Sequence, residues 1–231
     1  MIKFPKTVRI GGIVYDIELK DLDRNITKTE GLCKNPMAKI VINRNNGDQS
    51  LLEIFIHELL HAIDFVYCGD IQNECVTEKF TNAFFQVIRD NVDLFNFDIP
   101  DEVRISGFKY NVLYPTNFED VIFNKNSQES SVVYIDDNEQ VIALSNKILG
   151  YDLSPDIIST NLIYAVILGI LERYSISEEE FNTELYLTQF SNGIYQVFGD
   201  LNIKEFFNRL EGEPKIGKKT RVVKADTKTK K

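Results

Sequence analysis

The sequence predicts an α+β fold made of two tandem copies of one unit, each a small antiparallel sheet followed by a central helix and a second helix. Three collinear internal matches carry that expectation. Residues 7–17 (TVRIGGIVYDI) match 102–112 (EVRISGFKYNV), 54–67 (IFIHELLHAIDFVY) match 161–174 (NLIYAVILGILERY), and 78–90 (EKFTNAFFQVIRD) match 188–200 (TQFSNGIYQVFGD). The offsets of 95, 107 and 110 residues rise in chain order, as small insertions in connecting loops require. The expected division is 1–95 for the first unit, 96–211 for the second and 212–231 for a tail.

Each element follows from local pattern. In the first unit, alternating apolar residues predict strands near 7–18, with a turn at Gly12, and near 37–43. A helix is expected from 51 to 67, with Ser50 and Glu53 reading as a capping box and Gly69 as its end. A second helix is expected over 71–91. In the second unit, strands near 102–113, 131–136 and 140–145 precede helices near 157–174 and 178–199. Ser177 and Glu180 repeat the capping pattern there, and a last short helix covers 202–211.

Composition narrows the function classes. Of 231 residues, 43% are hydrophobic, enough for a packed core. No apolar run approaches the roughly 20 residues of a membrane span, and the N-terminus lacks a signal-peptide pattern, so a cytoplasmic protein is expected. Cys33, Cys68 and Cys75 are too few and too scattered for a disulfide framework. The net charge is −9, but the stretch from Pro214 to Lys231 holds eight basic residues and one acid, leaving the rest at −16. An acidic body argues against nucleic acid as the main partner. The basic tail is expected to be disordered; it could touch nucleic acid, an acidic partner or the acidic body itself, or serve only as a solubilising tail.

The only two histidines, His57 and His61, flank Glu58 in HELLH. Residues i and i+4 lie about 40° apart on a helix, so both imidazoles project from one face and can meet one zinc ion. Glu58 lies off that face, suited to activate a zinc-bound water as general base. Leu51, Leu52, Ile54, Phe55, Ile56, Leu59, Leu60 and Ile63 make this a buried central helix. A third ligand must be a carboxylate or thiolate, and the next helix offers Glu74 and Glu78 on one face. In the second copy His57, Glu58 and His61 become Tyr164, Ala165 and Leu168. Glu74 keeps a glutamate, Glu184, while Glu78 becomes Thr188. A ligand should vanish with the site it serves, which favours Glu78 and leaves Glu74 as runner-up. Asp64 is a candidate to support a histidine ring, and Cys33 a candidate fourth ligand if it lies on a strand beside the cleft.

HELLHAID, followed 17 residues after His61 by Glu78, Thr81 and Asn82, resembles the minimal gluzincin-type zinc metallopeptidases, the ImmA/IrrE-like group and its phage-encoded relatives. The resemblance covers residues 7 to 92 and departs at Thr81, where that family tends to have Ala. It implies Zn2+ held by His57, His61 and Glu78, with Glu58 as the catalytic base. The implied activity is hydrolysis of one or a few protein substrates in a host cytoplasm. The second copy, lacking ligands, is expected to pack on the first as a pseudoenzyme repeat. The alternative is a non-enzymatic protein that sequesters a host factor and uses a zinc site closed by a fourth protein ligand.

Overall fold

The computed structural model describes residues 3–21, 30–95, 98–116, 132–176, 184–201 and 203–211. The first unit opens with strands β1 (Thr7–Ile10), β2 (Ile13–Lys20), β3 (Gly31–Lys34) and β4 (Lys39–Asn43). Helix α1 (Asp48–Ile63) runs into one π-helical turn, Asp64–Cys68, and α2 (Glu74–Asp90) follows. The second unit repeats this with β5 (Glu102–Ile105), β6 (Phe108–Leu113), β7 (Val133–Asp136) and β8 (Val141–Leu144). A two-stranded ribbon of β9 (Lys147–Ile148) and β10 (Tyr151–Asp152) then leads to α3 (Pro155–Arg173), α4 (Glu184–Asp200) and α5 (Ile203–Glu211).

The α+β fold is as expected, and the repetition extends to strand register. The sheets have orders β1-β2-β4-β3 and β5-β6-β8-β7. In the first, Asp16 pairs with Lys39; in the second, their counterparts Asn111 and Val141 pair. Helices α1 and α3 start 107 residues apart, and α2 and α4 both start and end 110 apart. One expectation needs correction: the sheets are mixed, not antiparallel, because β2 runs parallel to β4 and β6 to β8. The chain reverses into β3 and again into β4, so β4 regains the direction of β2 and takes the place beside it. Apolar alternation marks a strand but not its direction. β3 itself fell outside the two strand segments expected for this unit.

Helix ends differ from the capping boxes read in the sequence. α1 begins at Asp48 after Gly47, so Ser50 lies within the helix, and Ser177 and Glu180 lie outside the described residues. Observed side-chain caps are Asn73, accepting from the Val76 N–H, and Ser154, accepting from the Ile157 N–H. The 212–231 tail also lies outside the described residues.

Both units share one hydrophobic core, in which Leu52, Phe55, Ile56, Leu59, Leu60 and Ile63 of α1 are fully buried. Each such side chain contributes on the order of 1.5–3 kcal/mol of burial. α3, the counterpart of α1, is long and apolar enough to cross a membrane by length and composition, and 56% of its apolar window is buried within the fold. The units meet through reciprocal hydrogen bonds. Tyr67 of the first donates to Gln196 Oε1 of the second at 3.1 Å, and the counterpart Tyr174 donates to Gln86 Oε1. Exchange of equivalent contacts in both directions is the mark of a two-fold interface, here within one chain.

Candidate metal centre

The site lies where α1, the start of α2 and strand β3 meet. His57 and His61 project from α1 with Nε2 atoms 3.1 Å apart. Glu74, first residue of α2, reaches both: Oε1 lies 3.1 Å from His57 Nε2 and Oε2 lies 3.0 Å from His61 Nε2. Thr81 decides the tautomer of His57. Its hydroxyl donates to the Thr77 carbonyl at 2.7 Å, leaving a lone pair to accept from His57 Nδ1 at 3.2 Å. With the proton on Nδ1, the Nε2 lone pair of His57 faces the second imidazole and the carboxylate. Such a convergence of donors is relieved by a cation, and burial together with His61 pushes the His57 pKa down, against simple protonation. Zinc–ligand bonds of 2.0–2.1 Å arranged tetrahedrally set ligand atoms about 3.3–3.4 Å apart, close to the observed spacing. His57, His61 and Glu74 therefore form a group that could hold a metal ion.

The third member of this group differs from the expected one. Glu78 lines the same cleft one helical turn further on, but its carboxylate is not among the gathered ligand atoms. The reason is where α2 begins. The π-turn and the left-handed Gly69 and Asp70 delay the helix to Glu74, three residues later than the sequence pattern suggests. Glu74 thus sits at the helix mouth facing both imidazoles.

Glu58 is 6% exposed and points into the cleft. The Cys33 N–H of β3 donates to its carboxylate, while burial and then the nearby Glu74 raise its pKa to about 8. Gly31, also on β3, lies so close that a Cβ there would stand 2.5 Å from Glu58 Oε1 and 2.6 Å from Ile54 Cγ2. Cys33 lies on β3 beside the cleft, its thiol donates to Asn35 Oδ1 at 3.0 Å, and burial lifts its pKa to about 12. Its sulfur is not among the gathered ligand atoms. Asp64, the other expected support, turns away from the histidines: it accepts from the Gln72 N–H and the Tyr186 hydroxyl, both at 2.9 Å.

Two participants escaped sequence reasoning. Thr81 was visible only as a departure from the pattern of the metallopeptidases the sequence resembles, which was itself the signal. Gly31 left none, because its need is space against a side chain rather than a special backbone angle. The cleft has a volume of about 360 Å³ and is lined by five glutamates, Glu30, Glu53, Glu58, Glu74 and Glu78, with no Lys or Arg among its described lining residues.

The chain matches no protein-family model, no curated protein and no solved structure.

Proposed function

We propose that this protein is a zinc-dependent peptidase acting on a protein substrate. The observation that carries the reading is the convergence of His57, His61 and Glu74 on one point, with a buried carboxylate, Glu58, beside them. His57, His61 and Glu74 would hold the ion, and Thr81 would orient the His57 ring. When bound, zinc supplies a Lewis acid that brings the pKa of water toward ~7 and polarises a carbonyl. Glu58 accepts the proton of the attacking water and returns it to the departing amine. Burial raises its pKa in the metal-free chain, and a bound cation would favour the carboxylate form that accepts the proton. The Cys33 N–H and the close approach of Gly31 hold that carboxylate in one orientation. Three protein donors, the number in the described group, would leave a position for substrate, which favours catalysis over a closed structural site and over simple sequestration of a partner. The five glutamates favour peptides carrying Lys or Arg near the scissile bond.

The test joins metal content to trapping. Purified protein should carry one zinc per chain, and Glu58→Gln should retain both zinc and a bound peptide substrate while hydrolysis stops. Absence of stoichiometric zinc, or full hydrolysis by Glu58→Gln, would refute the reading. Glu74→Gln and Glu78→Gln, compared for zinc affinity, identify the third donor.

A further inference from the structure

We infer that Tyr186, on the second unit, is a positioning residue for the metal centre of the first. The inference rests on the zinc reading above. The contacts between units are of two kinds. The Tyr67–Gln196 and Tyr174–Gln86 pairs are symmetric and exist in both directions. The Tyr186–Asp64 pair is not: the counterpart of Asp64 is Leu171, and that of Tyr186 is Val76. Both partners are polar only where they meet across the unit boundary, and both are buried, with Asp64 1% and Tyr186 3% exposed.

The geometry gives this bond a task. Asp64 closes α1 just beyond His61, and its carboxylate gathers the segment that leads into α2. One oxygen takes the Gln72 N–H at 2.9 Å, and the Ile71 N–H also donates to the carboxylate. The Asp64 carbonyl takes the Asp70 N–H at 3.2 Å. The Gln72 side chain then accepts from Thr77 Oγ1, inside α2. Residues 70–72 are thereby tied to the end of the histidine helix, and Glu74 follows two residues later, after the cap Asn73. The remaining carboxylate oxygen of Asp64 receives the Tyr186 hydroxyl. The same tyrosine stacks on Phe190, and Phe190 meets Phe80 of α2 edge-on with centroids 5.7 Å apart. Without the phenol, a buried carboxylate oxygen loses its donor, and the anchor that sets the distance from His61 to Glu74 loosens.

The experiment is a chelator competition for zinc on the full chain, with folding verified by circular dichroism. Tyr186→Phe, which removes one oxygen, should weaken zinc binding about tenfold, the scale of supporting contacts around a metal. Ser191→Ala, which removes another buried hydroxyl one turn along α4, should leave zinc affinity within about twofold whatever it does to stability. Amide exchange at residues 70–76 should quicken in Tyr186→Phe and not in Ser191→Ala. Asp64→Asn should reproduce the loss, and the double variant should lose no more than the larger single. Wild-type protein that binds no zinc refutes the zinc reading itself. Wild-type binding matched by Tyr186→Phe, or fully additive Asp64 and Tyr186 effects, overturns the inference while leaving that reading intact.

Discussion

The two units pose one backbone design with and without a polar centre. Their sheets share order and register, and their paired helices begin 107 and 110 residues apart. α1 buries Glu58 and half-buries two histidines, whereas α3 presents Tyr164, Ala165 and Leu168 at those positions. α1 passes into a π-turn; α3 stops at Arg173 without one. A helix that folds in this setting with Ala and Leu needs no buried carboxylate for stability. The cost of Glu58 in the first copy, visible in its raised pKa, is therefore borne for the site rather than for the fold.

Converting the first unit toward the second is the harshest way to break the comparison. His61→Leu, the residue found at that position in the second copy, should abolish stoichiometric zinc in elemental analysis, weakening affinity by ~100-fold or more, with circular dichroism unchanged. Next in size, Glu58→Gln should cut peptide hydrolysis by roughly 10²–10⁴-fold, read as initial rate, with zinc retained.

The same variant sharpens the comparison through pH. The folded state holds the Glu58 proton up to about 8 while the unfolded chain releases it near 4.5, so metal-free stability should fall as pH rises across that window. His57, whose pKa is lowered from 6.5, contributes the opposite slope below that value. Denaturant titrations from pH 6.5 to 8 should therefore show a declining midpoint that Glu58→Gln flattens. Gly31→Ala should destabilise by about 1–3 kcal/mol and reduce hydrolysis by moving Glu58. Gly169→Ala in the second unit meets only the tip of Ile105 below 3 Å, at 2.7 Å, and should cost less in the same melt. Thr81→Val should be the mildest, weakening zinc affinity by about tenfold through loss of the His57 orientation.

Much of this was legible beforehand, for identifiable reasons. The duplication and both helix pairs lay in collinear apolar patterns, and HELLH carries its spacing in the residues themselves. The choice between Glu74 and Glu78 was not settled so directly. Both lie on one helix face, and only the turn at Asp64–Asp70 decides which carboxylate meets the imidazoles. The preference for Glu78 assumed that a ligand is lost with its site, but Glu184 keeps the acid of Glu74 at a helix start, a position that favours acids in any case. Strand direction, the Cys33 N–H and the crowding at Gly31 are contacts between distant segments, which local pattern does not encode.

The shared register of the two sheets also bears on how the chain reaches its native state. Each of β1 to β4 has a counterpart among β5 to β8 in the equivalent place of its sheet, so a chain folding all at once meets two similar partners for each edge. Synthesis from the N-terminus resolves the ambiguity: β1 to α2 are complete by Asp90, before the first duplicate strand at Glu102 exists. Refolding from denaturant has no such order, so mispaired units should compete with the native pairing there.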